Sequence, residues 1–150
     1  MIAQVEPLHD RAITDFWVNA WQITFSDIDF EARRVWILEH LADMRANQHI
    51  VRAFFDADRP LGFYYLFQGS GLVEQICVSP EAKGRGIGAL LMADATNQTS
   101  HALNLIVNED NLNARRFYAK LGFVETGHRI DPKSLRGVIA LQMSAERAKS

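Results

Sequence analysis

The sequence predicts an α+β fold, a mostly antiparallel sheet with helices on its faces. Three observations carry that reading. Strand-like and helix-like stretches follow one another as strand, two helices, three strands, helix, strand, helix, two strands over 150 residues. Three of the strand-like runs fall together between residues 50 and 78, separated only by short turns, which is the pattern of an antiparallel meander. Too little chain follows the glycine-rich stretch near residue 86 to build a doubly wound parallel sheet. One domain over 1–150 is the simplest organisation for this length, with room for one sizeable core.

Taken in order, residues 2–5 alternate weakly before Pro7 and read as a short first strand. Residues 10–25 read as a helix, because Ile13, Phe16, Trp17, Ala20, Trp21 and Ile23 recur at helical spacing. Residues 26–29 interrupt it, and Asp29 is placed to cap a second helix over 30–46. Val35, Leu38, Leu41 and Ala42 form the expected apolar stripe of that helix. Trp21, Phe25, Phe30 and Trp36 are expected in the core. The meander strands are 50–55, 61–68 and 72–78. Their turns are Asp56-Ala57-Asp58-Arg59-Pro60 and Gln68-Gly69-Ser70-Gly71, built from the residues turns require. A helix over 86–96 should turn Ile87, Leu90 and Leu91 toward the sheet. A strand over 102–107 and a helix over 111–121 follow, the helix stopped by Gly122. Strands over 123–130 and 137–143 complete the order, and the polar tail beyond is expected to fray.

The stretch from Leu72 to Leu91 stands out chemically. A strand leads through Ser79–Pro80 into Lys83-Gly84-Arg85-Gly86-Ile87-Gly88-Ala89, where a helix opens. So few side chains let a ligand approach the backbone closely. The free amides and positive dipole end of a starting helix favour an anion, and Lys83 and Arg85 add charge. The residues therefore read as a phosphate or pyrophosphate cradle. A P-loop is excluded, because Gly84 is followed by Arg85 and Gly86 rather than by Lys and a hydroxyl residue. A dinucleotide fingerprint is formally met by Gly84, Gly86 and Ala89, with Glu109–Asp110 at a fitting distance. It fails because five residues separate the strand from the glycines.

The same stretch resembles motif A of the GNAT (GCN5-related) N-acetyltransferases, Q/R-x-x-G-x-G/A, with Lys83 where Gln or Arg is usual. A second segment, VNEDNLNARRFYAKLGF from Val107 to Phe123, resembles the family's other hallmark. Val107, Asn111, Ala114, Phe117, Tyr118, Gly122 and Phe123 fall in place. Physically, Asn111 opens a helix and can cap it, with Ala114, Phe117 and Tyr118 on one face. The resemblance is strong from about Leu72 to Phe123 and one of layout before that. It implies a GNAT-like acyl-CoA N-acyltransferase fold in which two parallel strands, 72–78 and 102–107, splay apart.

The resemblance further implies acetyl-CoA as co-substrate in that gap. The backbone of Ile76, Cys77 and Val78 would pair with the pantetheine arm. The amides of Gly84, Arg85, Gly86, Ile87, Gly88 and Ala89, helped by Lys83, would meet the pyrophosphate. Asn111 would contact the pantetheine and Phe117 would pack near the cofactor. The Ile76 N–H would donate to the oxyanion, and Tyr118 would protonate the departing thiolate. Cys77 is expected to pack rather than act as a nucleophile. The base is read from the residues: Glu74 should share a strand face with Ile76 and Val78, where a carboxylate among apolar groups has a raised pKa. A solvated or salt-bridged strand residue is the competing reading, and the sequence leaves both open. Asp27 and Asp29 lie in the loop that covers the acceptor in this family. The expected activity is acetyl transfer to a primary amine of a small molecule, peptide or protein. The alternative is a catalytically silent CoA-binding or regulatory module.

Composition narrows the partners. A formal net charge of −2 supplies no basic field for nucleic acid. No apolar run is long enough to span a membrane. Glu6, His9, Asp10 and Asp15 stand where a signal peptide would be apolar, so a cytoplasmic protein is expected. The single cysteine agrees with a reducing compartment. The five histidines show no metal-ligand spacing, so no metal site is expected. Dimers are common in the GNAT family, and a homodimer is among the expected partners, though no residue pattern decides it.

Overall fold

The structure, a computed structural model, describes residues 1–24, 26–82 and 84–143, and the side chains of all of these except 23 and 24. Phe25, Lys83 and the tail 144–150, each the object of an expectation above, lie outside the described residues. Among the described residues seven strands form one sheet: β1 (Ile2–Gln4), β2 (Ile50–Asp56), β3 (Arg59–Phe67), β4 (Leu72–Val78), β5 (Asn104–Asn108), β6 (Phe123–Ile130) and β7 (Gly137–Met143). Their spatial order is β1-β2-β3-β4-β5-β7-β6. Every neighbouring pair is antiparallel except β4 and β5. The helices are α1 (Asp10–Thr24), α2 (Arg34–Ala46), α3 (Ile87–Thr96) and α4 (Leu112–Lys120).

Two apolar layers sandwich the sheet. On one face α3 contributes Ile87, Leu91, Met92 and Ala95, packed on Leu61, Tyr64 and Leu66 of β3, with Ala114 and Tyr118 of α4 at the margin. On the other face Ile13 and Trp17 of α1 and Ile37, Leu41 and Met44 of α2 pack on Phe63 and Tyr65. β3 is therefore covered on both sides, which is why its sequence is a nearly unbroken apolar run instead of an alternation. Gly62 on this strand is demanded by closeness: a Cβ there would sit 2.9 Å from Leu91 Cδ1 and 3.1 Å from the Cys77 carbonyl oxygen.

Polar ties fix the helices on the sheet. Arg52 of β2 donates from Nε (2.7 Å) and Nη2 (3.1 Å) to the two oxygens of Asp94 on α3. The buried Tyr64 hydroxyl donates to the same carboxylate at 2.5 Å. Arg45 of α2 donates both terminal nitrogens to Asp10 of α1, at 2.6 and 2.5 Å. Gln22 closes the segment after α1 by donating to the Ile28 carbonyl (2.6 Å) and accepting from the Phe30 N–H (3.0 Å). Asp29 accepts from the Ala32 N–H at 3.3 Å, but it does not cap α2 as expected: a 3₁₀ turn, Glu31–Arg33, comes first with Phe30 at its N-cap, and α2 opens only after Arg33.

Three further expectations, all about packing, are corrected. The stripe of α2 is Ile37, Leu41 and Met44, not Val35, Leu38, Leu41 and Ala42; Val35 is 65% exposed. Both sets recur at helical spacing and share Leu41, so packing against β2 and β3 chose between them. Trp36, expected in the core, is 50% exposed. Leu90, expected against the sheet, is 50% exposed, while Met92 and Ala95 are buried in its stead. α3 is apolar nearly all round, and periodicity does not single out its inner face.

Candidate active site

β4 and β5 share a single ladder pair, Leu72 with Asn104. Asn104 clamps this apex: its N–H donates to the Gly71 carbonyl (3.0 Å) and its side-chain amide to the Ser70 carbonyl (2.9 Å). Beyond the apex the strands diverge, so among the described residues the β5-facing backbone edge of β4 at Ile76, Cys77 and Val78 has no strand partner. The other edge is fully engaged with β3, through Tyr64–Ile76, Phe63–Cys77 and Gly62–Val78. An extended chain therefore has one place to add itself along β4.

The end of β4 leads through a 3₁₀ turn, Pro80–Ala82, into the glycine loop. Gly84 and Gly86 adopt φ of +83° and +77°, in the left-handed region, and among the described residues nothing lies within 4 Å of where their Cβ atoms would be. These two glycines answer to backbone conformation, and the space over them is open to a ligand. The first four-residue helical bond of α3 runs from the Leu90 N–H to the Gly86 carbonyl (3.1 Å). The amides of residues 87–89 thus belong to the helix N-terminus that bonds no preceding turn. Arg85 and Ala89 are exposed beside them, whereas Ile87 is buried beneath. Gly88 is of the other kind. A Cβ there would meet Phe117 Cζ at 2.5 Å and Cε1 at 2.8 Å. Phe117 of α4 lies directly on the α3 backbone at this point.

α4 begins at Asn111, whose Oδ1 accepts from the Ala114 N–H at 3.2 Å, the expected cap. Asn111 also lines, with Arg116 and Arg136, an open cavity of about 410 Å³. Tyr118 projects from this helix into the layer that holds Ile76 and Val78. Its ring is edge-on to Phe117 (5.3 Å) and to Phe123 (5.6 Å). Burial, and secondarily the nearby Cys77 thiol, push its phenol up to about 12. The group is a neutral O–H throughout the ordinary pH range, able to donate a proton.

Glu74 is displaced from its expected face. The β3–β4 register shifts between Tyr65 and Leu66, which pair with Gln75 and Val73, and Glu74 is the extra residue of a β-bulge. Val73, Ile76 and Val78 pack in the α3/α4 layer. Gln75 accepts from Trp17 Nε1 at 2.9 Å on the α1/α2 side, and Cys77 packs there too. Glu74 also faces α2, where its Oε1 lies 2.5 Å from His40 Nε2. It therefore does not share a face with Ile76 and Val78, because the bulge interrupts the alternation. His40 stacks on Trp36 at 5.0 Å with 10° between the rings, and lies 5.5 Å from the Tyr65 ring. Sequence reasoning did not single out His40; its place four residues after Trp36 on one helix was the available signal. Asp27 and Asp29 are exposed in the 26–30 segment.

The sequence matches the model of the family described as "Acetyltransferase (GNAT) domain" over residues 29–146. A peptidyl-lysine N-acetyltransferase YjaB of Salmonella typhimurium is 33% identical over 96 residues, and the match spans 64% of each chain. A spermidine N-acetyltransferase SpeG chimera from Vibrio cholerae and hSSAT superimposes with a TM-score of 0.77 at 19% identity, covering 100% of this chain and 98% of the other. The PaiA N-acetyltransferase of Thermoplasma acidophilum, in complex with coenzyme A, gives 0.73 at 18% identity over 96% and 98%. At these identities the two structures are alike in fold.

Proposed function

We propose that this chain, which belongs to the GNAT acetyltransferase family, transfers an acetyl group directly from acetyl-CoA to a primary amine. The observation that carries the reading is the single pairing of β4 with β5. It leaves the β4 backbone open between the glycine loop and the half-buried, neutral Tyr118. The residues suit the co-substrate. The free edge at Ile76, Cys77 and Val78 takes the pantetheine amides as an added strand would. The amides of Gly84, Arg85, Gly86, Ile87, Gly88 and Ala89 take the pyrophosphate, and Lys83 adds charge. Asn111 and Phe117 line the way between α3 and α4.

An alkylammonium has no lone pair, and with a pKa near ~10 it must lose a proton before it attacks. The amine nitrogen then bonds to the thioester carbonyl carbon. The Ile76 N–H steadies the developing oxyanion, the carbon–sulfur bond breaks, and Tyr118 passes its proton to the leaving thiolate. Glu74, across the strand, belongs to the system that removes the amine's protons. The sequence relative is named for peptidyl-lysine and a structural neighbour for spermidine. Both are alkyl amines, which supports an amine acceptor without deciding between a small molecule and a protein. The test is an acceptor screen with acetyl-CoA, reading free-thiol release, beside thermal unfolding with CoA, NAD and ATP. CoA alone should raise the melting temperature, since a ligand of the native state stabilises it by mass action. An equal shift with NAD would sink the reading.

A further inference from the structure

We propose that His40 on α2 is the group that accepts the amine's proton, and that Glu74 acts on it as a positioning residue. The proposal rests on the acetyltransferase reading and names the proton acceptor within it. An ionised carboxylate only accepts hydrogen bonds, so the 2.5 Å contact to Glu74 Oε1 requires the proton of a neutral His40 ring to sit on Nε2. The lone pair is then on Nδ1. Nδ1 has no hydrogen-bond partner among the described residues. Stacking on Trp36 and the contact with the Tyr65 ring hold the imidazole plane. The arrangement is a base oriented by a carboxylate, the geometry that activates histidine in acyl transfer elsewhere.

Position strengthens the case. The bulge turns Glu74 toward α2 at the start of the splay, two residues before the Ile76 amide, or about 7 Å along the strand. Over the remaining distance the proton would pass through a bridging water. His40 and Glu74 keep 22% and 28% of their side-chain surface, so they are reachable without being fully solvated. Tyr118 packs in the layer on the opposite face of β4. Acid and base therefore stand on two sides of the strand, and neither quenches the other. Half-exposed Trp36 beside His40 offers an apolar wall to the acceptor's alkyl chain. The groups that face the imidazole are Glu74 from β4 and Tyr65 from β3. Behind Tyr65 stand Cys77 and the Asp10–Arg45 pair of α1 and α2.

The test pairs His40→Gln, His40→Ala and Glu74→Gln with ¹⁵N NMR of the histidine rings. We expect His40→Gln to keep CoA affinity and to lose ~10²-fold or more in kcat/KM at neutral pH, recovering in part as rising pH frees the amine. Added imidazole should restore part of the activity of His40→Ala. Glu74→Gln should lower kcat with KM unchanged. In the wild-type protein the NMR should show His40 protonated at Nε2 and bare at Nδ1, and Glu74→Gln should mix the tautomers. Wild-type kcat/KM in His40→Gln overturns the proposal. So does a loss matched by an equal loss of CoA affinity, or one that neither pH nor imidazole relieves. A wild-type ring protonated at Nδ1 overturns it whether or not an acceptor has been found. A protein that binds CoA but acetylates no amine would instead refute the acetyltransferase reading, and the tautomer would still decide the role of the pair.

Discussion

Gly88→Ala tests the contact on which the α3–α4 junction depends. The added methyl would lie 2.5 Å from Phe117 Cζ and 2.8 Å from Cε1. Carbon atoms settle at about 3.5–4.0 Å, so the tip of the ring must withdraw by ~1 Å. Alanine gains about 0.5–1 kcal/mol over glycine inside a helix. Overpacking costs about 1–3 kcal/mol. The moving atoms are the far end of a half-buried side chain, which places the cost at the lower end of that range. With that cost near ~1–1.5 kcal/mol, the net change in stability is between about zero and 1 kcal/mol of destabilisation by these two terms. The functional effect should be larger. Phe117 walls the junction along which CoA is proposed to lie, so its affinity should fall ~10-fold or more. Thermal unfolding and titration calorimetry with CoA measure the two quantities separately. Gly88→Ala combined with Phe117→Leu should bind CoA within a few-fold of Phe117→Leu alone, a non-additivity expected of touching residues. If Gly88→Ala binds CoA as the wild type does and is stabilised by the full helix gain, the ring is not a constraint and the reasoning fails. An equal loss in the single and double variants would place the cause elsewhere.

Three further outcomes are expected. Tyr118→Phe should keep the fold and CoA affinity while lowering kcat by on the order of 10²-fold; unchanged turnover where chemistry limits the rate removes Tyr118 from the mechanism. All three tyrosines are shifted upward, Tyr64 and Tyr65 mainly by burial and Tyr118 by burial to about 12. Unfolded tyrosine titrates near ~10, so above that pH the native state holds more protons than the unfolded one. The stability is whole below pH ~10 and falls as pH rises through the folded values, by up to about 1.4 kcal/mol per pH unit for each tyrosine. Melting temperature against pH, with tyrosinate absorbance, checks it; tyrosinate appearing before unfolding would contradict it. Asp94→Ala strands the Tyr64 hydroxyl and Arg52 and should destabilise by about 2–4 kcal/mol. Adding Tyr64→Phe should recover part of that, and denaturant unfolding reads both.

Much of this protein is written locally. The order of elements follows from periodicities and turn residues that act over a few positions. The glycine loop is legible because Gly84 and Gly86 need left-handed backbone that other residues resist. The cap of α4 is legible because Asn111 reaches a donor only three residues on. Gly88 was also marked, but its reason is tertiary: Phe117 arrives from 29 positions away.

What the sequence by itself determined is therefore the strand–loop–helix unit with its glycine loop, the α4 cap and the α+β layout. Tertiary structure alone decided which way the remaining groups face. The stripe of α2 went to Ile37 and Met44 because two apolar stripes were available and only the sheet could choose. The face of Glu74 departs from strict alternation because alternation holds only for a regular strand, and one bulged residue reverses every side chain before it relative to those after. The partnership with His40 spans 34 positions, across a helix end, three turns and two strands. No local pattern encodes such a pair, since its formation depends on the packing of α2 over β3 and β4.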